Sequence, residues 1–219
     1  MNQYHKIQSL YKRDQKGKML FGEYSLPEFD YLKDNMWELT EKVDGTNIRV
    51  YYTGCEMYGD DMGFGGKTDN AQIPAHLVNR LNELFWIDKL RDAFPSDLPE
   101  DVDRKICLYG EGFGVKIQKG GGNYIPDGVD FVLFDVKIGD WWLKREDVED
   151  VASKLGINTV PVLCFGTLEF MEKLCEDGFK SQWGDFIAEG IVARPQVELR
   201  DRAGHRIITK LKHKDFQDV

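Results

Sequence analysis

Lys42 lies in the run Glu41-Lys42-Val43-Asp44-Gly45-Thr46-Asn47, among the residue types that an amine nucleophile needs. A free lysine has a pKa near ~10.4 and is almost wholly charged at neutral pH, so an amine that attacks phosphorus must first lose its proton. Partial burial, neighbouring cations and a bound metal ion all favour that loss. Gly45 lets backbone approach a ligand with no Cβ in the way, and Asn47 can donate or accept a hydrogen bond at a sugar. The plainer reading of the same run is a turn, because Asp-Gly between two apolar stretches is a strong hairpin signal and a neighbouring lysine is usually solvated.

Further runs follow in order: Gly110-Glu111-Gly112-Phe113-Gly114, Phe131-Val132-Leu133-Phe134-Asp135-Val136, Ala188-Glu189-Gly190-Ile191-Val192-Ala193-Arg194-Pro195 and Thr209-Lys210-Leu211-Lys212. With the Lys42 run they resemble, in sequence and spacing, the five nucleotidyltransferase motifs of the superfamily of ATP-dependent ligases and mRNA-capping enzymes. Within it the chain is most similar to the phage RNA ligase 2 family, through Gly114-x-x-Ile117-Gln118-Lys119 and the spacing from there to Phe134. The resemblance runs from about residue 37 to 216.

That resemblance implies an ATP-dependent RNA ligase acting through a covalent lysyl-AMP at Lys42, with Lys210 and Lys212 neutralising the α-phosphate and aiding departure of pyrophosphate. Glu41 would border the adenine pocket, Asn47 would sit near sugar and phosphate, Glu111 would bind the ribose hydroxyls and Phe134 would stack on adenine. Arg194 would add a further cation. The implied metal is Mg²⁺ or Mn²⁺, organised by Glu189, with Asp44, where some relatives have histidine, holding metal-bound water. At Gly65-Gly66-Lys67-Thr68-Asp69 the family usually carries an arginine on phosphate; Lys67 stands there instead, a point charge without the bidentate fork. Each residue also has a bland alternative: a turn aspartate for Asp44, an exposed loop residue for Glu111, a core ring for Phe134, a surface turn for Lys67.

Composition is consistent with a single catalytic domain over residues 1–219. The chain of 219 residues can bury a sizeable core, and no Pro-, Ser- or Gly-rich linker divides it. Cys55, Cys107, Cys164 and Cys175 show no C-x-x-C spacing, the four histidines lie far from any cysteine pair, and no signal peptide or membrane-length apolar run is visible. A reduced, cytoplasmic, monomeric protein is expected, in a host cytoplasm if phage-encoded, with no membrane partner. The net charge of −9 argues at first against nucleic acid. Between Arg194 and Lys214, however, seven basic residues face two acidic ones, a local excess of +5, while acids concentrate at 97–103 and 146–150.

The motifs must sit on strands and their loops. Residues 37–41, 48–52, 106–109, 131–138, 190–193 and 206–211 are apolar, β-branched or aromatic enough to be strands. A strand would point Lys210 and Lys212 at one face. Residues 73–89 predict a helix through an apolar stripe of Ile73, Leu77, Leu81, Leu84 and Phe85, and 145–155 and 168–175 predict two more. Strands and helices interspersed without strict alternation indicate an α+β fold. The resemblance adds an ATP-grasp-like ligase adenylation domain: two antiparallel sheets flanked by helices, with nucleotide between them.

Relatives usually carry a second nucleic-acid-recognising domain, an OB-fold in DNA ligases and capping enzymes. This chain ends three residues after Phe216, so no C-terminal OB-fold or helical domain is expected, and RNA ends or nicked nucleic acid would be met by the catalytic domain, helped by Lys6, Lys12, Arg13, Lys16 and Lys18. A DNA ligase of the same superfamily and a nucleotide- or RNA-end-binding module without turnover are the alternatives.

Overall fold

A computed structural model describes residues 3–54, 59–95 and 104–217; Cys55 and the acidic stretch 97–103 lie outside them. The chain forms two compact units, one from residues 44–160 with the N-terminal residues up to Tyr4, the other from His5–Val43 and the stretch from Pro161 on.

The second unit begins with β1 (Gln8–Ser9), β2 (Tyr11–Arg13), β3 (Met19–Tyr24), α1 (Pro27–Tyr31) and β4 (Trp37–Glu41). The first unit then contributes β5 (Thr46–Gly54), β6 (Asp61–Gly65), α2 (Ala75–Leu84), α3 (Ile87–Ala93), β7 (Arg104–Gly114), α4 (Gly121–Tyr124), β8 (Val129–Ile138), β9 (Trp141–Trp142), α5 (Arg145–Lys154) and β10 (Asn158–Thr159). The chain returns to the second unit with β11 (Val162–Gly166), α6 (Leu168–Asp177), β12 (Gly190–Pro195), β13 (Thr209–Lys212) and a 3-10 turn, His213–Phe216.

In the first unit the sheet order is β10-β8-β7-β5-β6, with β9 added beside β8. Ile48 and Val50 of β5, Ile106 and Leu108 of β7, and Phe131, Leu133 and Val136 of β8 share one core with α2, α3 and α5. Period-two alternation therefore turns Asn47, Arg49, Tyr109, Glu111 and Asp135 to the opposite face. In the second unit the order is β1-β13-β12-β4-β11. Trp37, Leu39, Ile191, Ala193 and Leu211 pack with α6 and the β2–β3 hairpin, so Glu38, Thr40, Arg194, Lys210 and Lys212 face the other way. The α+β class and mainly antiparallel sheets match the expectation, with β1 on β13 and β10 on β8 as parallel pairs.

The apolar stripe over 73–89 does not form one helix. The chain breaks at Phe85 and Trp86, both extended, and the buried Phe85 ring packs edge-on against Phe131, centroids 5.4 Å apart. The Lys89 ammonium donates to the Leu84 carbonyl at 2.8 Å, satisfying an acceptor that the helix end leaves open. The expected strand over 206–211 is shorter, beginning at Thr209, with Arg206 in an isolated bridge to Arg200.

Candidate active site

In the second unit, β4 delivers Lys42 to the rim of the sheet. The Lys42 backbone N–H donates to Gly190 O at 2.9 Å, extending the β4–β12 ladder by one residue. Across it stands Glu189, just before β12. One Glu189 carboxylate oxygen meets the Lys42 ammonium in a close ion pair, and the other lies 2.5 Å from Lys212 Nζ. The register sets this geometry: Gly190 is opposite Lys212 and Val192 opposite Lys210, so β13 presents both lysines on the face away from the core, as their spacing predicts. Glu189 is 14% exposed and Lys42 19%, so the pair is largely shielded from water.

Arg194 is opposite Glu38 on this face, its Nε 3.8 Å from Glu38 Oε1. Glu38, only 7% exposed, is a charged residue that the sequence did not single out. Glu41 takes the opposite face from Lys42. Its carboxylate accepts from the Ser181 hydroxyl at 2.5 Å and the Gln182 N–H at 2.8 Å. Burial pushes the Glu41 carboxyl above its ordinary range, and those two hydrogen bonds pull it partway back. Ser181 lies 140 residues away in sequence and carries no motif to reveal it.

In the first unit, the Asp44-Gly45 turn is packed against β7. A Cβ on Gly45 would stand 2.3 Å from Gly112 O and 2.8 Å from Glu111 Cγ, so the close approach requires glycine. The turn is held by Tyr124, whose hydroxyl accepts from the Asp44 N–H at 3.0 Å, and by Gln118, whose amide donates to Gly45 O at 3.1 Å. Gln118 thus earns its place in the motif by fixing backbone. Asn47 and Glu111 are direct cross-strand neighbours, both half-buried, a pairing suited to two sugar hydroxyls.

Phe134 falls at a register shift: Tyr109 is opposite Asp135 but Gly110 opposite Leu133, leaving Phe134 as the extra residue. Such a bulge re-aims a side chain, and the half-buried ring of Phe134 meets Tyr4 edge-on, centroids 5.0 Å apart. The Tyr4 hydroxyl donates to the fully buried Asp135 at 2.5 Å. Arg49, also fully buried, lies one alternation from Asn47, and its guanidinium donates to Gly66 O at 2.7 Å and Asp69 at 2.9 Å. It fastens the loop after β6 that carries the exposed Lys67. The signal that could have found Arg49 is its two-residue spacing from Asn47; for Asp135, it is a carboxylate inside an apolar strand.

Among the described residues, no three His, Cys, Asp or Glu side chains gather as a metal cage, and no helix is long and apolar enough to cross a membrane. Cys107, Cys164 and Cys175 are free thiols.

The α+β fold that carries this lysine–carboxylate–lysine constellation is shared by solved RNA ligases. A lysine-to-methionine variant of the Naegleria gruberi RNA ligase with AMP and Mn matches with a TM-score of 0.64 at 20% identity, over 88% of this chain and 54% of that one. The same organism's ligase with PPi matches with a TM-score of 0.61 at 19% identity, over 98% of this chain and 63% of that one. The chain thus spans little more than half the length of the solved ligases it matches. No match was found among curated protein sequences. The RNA ligase family model matches residues 35–212, and the chain belongs to that family.

Proposed function

We propose that this chain is the catalytic part of an ATP-dependent RNA ligase in which Lys42 carries AMP. The observation that supports this most is the Glu189 carboxylate set between Lys42 and Lys212, all within the segment that the family model matches. The Lys42 amine, freed of its proton, attacks the α-phosphate of ATP; a P–N bond forms, the bond to the β-phosphate oxygen breaks, and pyrophosphate leaves. Lys210 and Lys212 stabilise charge on the phosphate, with Arg194 as a further cation. Asn47 and Glu111 take the ribose, Phe134 takes adenine by stacking, and Lys67 adds a phosphate contact. AMP then passes to a 5′-phosphate end, and a 3′-hydroxyl attacks that end with AMP as leaving group. These later steps need in-line positioning rather than a new nucleophile.

A divalent cation suits the chemistry of these residues. Mg²⁺ is commonly bound by one or two carboxylates together with substrate phosphates and retained water, a role we assign to Glu189, with metal-bound water assigned to Asp44. When present it would supply neutralising charge at the phosphate. The motif spacing aligns the chain with phage RNA ligase 2 enzymes, so sealing of RNA ends or nicks, as in RNA repair, is the reaction assigned.

The test is incubation with labelled ATP or GTP and Mg²⁺, read as covalent label on a denaturing gel. Label from ATP alone, absent in Lys42→Ala, is expected. A wild-type protein that is folded, not already adenylylated by intact mass, and unlabelled by either nucleotide would overturn the assignment.

A further inference from the structure

β2 and β3 form a two-stranded antiparallel sheet of their own, Tyr11 opposite Tyr24 and Arg13 opposite Met19. Three contacts fasten this hairpin beside the strand that carries Lys210 and Lys212. β1, just upstream, runs parallel to β13 with Ser9 opposite Lys210. Arg13 Nη2 lies 2.9 Å from Asp215 Oδ1 in the turn that follows β13. The rings of Phe21 and Phe216 pack with centroids 4.6 Å apart.

The hairpin tip is internally satisfied in a way that leaves its cations outward. The Asp14 carboxylate accepts the backbone N–H groups of Lys16 and Lys18, each at 2.8 Å, Arg13 donates to Gly17 O at 2.9 Å, and Gly17 supplies the positive φ of 84° that the turn needs. The side chains of Lys16 and Lys18 are exposed, as are Lys6 and Lys214, and none of the four has an ion pair among the described residues. Lys12 has Glu23 at 3.6 Å, with both side chains more than half exposed, a geometry that contributes little. From Lys6 to Glu23 five basic residues face two acidic ones, a local excess of +3 in a chain of −9. Three of the four carboxylates of neighbouring α6 are engaged elsewhere: Glu172 accepts from the Tyr11 hydroxyl at 2.6 Å, and Glu176 and Asp177 share Lys173.

Exposed ammonium groups without ion pairs, on a hairpin fastened beside the strand of Lys210 and Lys212 and on the turn that follows it, suit a repeating anion. We propose that the hairpin tip, Lys16 and Lys18, together with Lys214, is a binding surface for the phosphodiester backbone of the RNA strand being sealed. Lysines are compact point charges, so the surface holds the strand without reading its sequence. This rests on the RNA ligase reading for the identity of the strand.

The test compares the full chain, the triple variant Lys16→Gln/Lys18→Gln/Lys214→Gln, and a control of equal charge change, Lys144→Gln/Lys154→Gln/Lys180→Gln. Each is titrated against a fluorescent 5′-phosphorylated RNA strand by anisotropy across a salt series, and each is assayed separately for covalent AMP from ATP. Single-strand phosphate contacts contribute about 0.7 each to the slope of log K against log salt, so the tip variant should lose about 2 from that slope and at least about tenfold in affinity at low salt. The control should match wild type, and all three should form lysyl-AMP alike. A tip variant with the wild-type slope, a control that loses as much as the tip variant, or a wild type that forms lysyl-AMP yet binds no RNA would each overturn the proposal. Absence of lysyl-AMP in the wild type would count against the ligase reading instead, since anisotropy reads the surface independently.

Discussion

Removing the Ser181 hydroxyl should weaken the seat of Lys42 without touching it. Glu41, the residue before Lys42, is 1% exposed, and its carboxylate accepts from Ser181 at 2.5 Å and from Gln182 N–H at 2.8 Å. The same hydroxyl accepts the Trp183 N–H at 3.0 Å. Ser181→Ala therefore strips one bond from a buried carboxylate and one from a backbone donor. A hydrogen bond to a charged group is worth about 1.5–3 kcal/mol and a neutral one about 1, so the loss should be about 3 kcal/mol. Unfolding entropy of about 2.1 cal/mol/K per residue then gives a fall in melting temperature of about 6 °C for a chain of 219 residues. The loss should also depend on pH. Burial already raises the Glu41 carboxyl above 4.5, so its ionised form costs stability, fully so above the folded value and not at all below the unfolded one. Losing Ser181 raises that carboxyl further, so the deficit is largest above the variant's folded value and shrinks towards about 1 kcal/mol as the pH falls and the carboxyl becomes protonated. Thermal melts of both proteins at about pH 8 and at about pH 4, below the ordinary 4.5 from which Glu41 is raised, test this. A deficit that is the same at both values, or that grows in acid, would refute the assignment of Glu41 as a buried carboxylate held by Ser181.

Three further outcomes follow from contacts within single units. Gly45→Ala would drive a Cβ to 2.3 Å from Gly112 O, so covalent AMP formation should fall by about 10²-fold or more, given the sensitivity of positioning to shifts of about 1 Å, while far-ultraviolet circular dichroism stays unchanged. The Arg49 guanidinium holds the Asp69 carboxyl below its ordinary range, a depressed value whose stabilisation is present at neutral pH and lost in acid. Asp69→Asn should therefore lower the urea midpoint at neutral pH, the gap to wild type closing as the pH falls through the Asp69 range. Burial pushes the Cys175 thiol up to about 12, so iodoacetamide at about pH 8 should leave it unmodified in the folded protein by intact mass and alkylate it on unfolding.

What the sequence made legible was local. The span Trp37–Glu41 was readable as a strand to the residue, and the alternation of Lys210 and Lys212 was readable as a shared face, because both follow from a period that needs no partner. The helical stripe over 73–89 failed because its break depends on where the Phe85 ring goes, namely onto Phe131. β4 shows most clearly where reading along the chain stops. All five of its residues are buried, so although Trp37 and Leu39 alternate with Glu38 and Thr40, burial on both sides leaves the partners of each face unread in the sequence. The direction of Lys42 is decided by its neighbours: β12 pairs Ala193 with Leu39 and Arg194 with Glu38, and the apolar members of those pairs join the core. Glu41 is thereby committed to Ser181 and Lys42 to Glu189. Lys42 is singled out by its own motif, but its setting depends on strands about 150 residues downstream. Substitutions at Ser181 or Ala193 should therefore perturb Lys42 more than changes to its immediate apolar neighbour Val43.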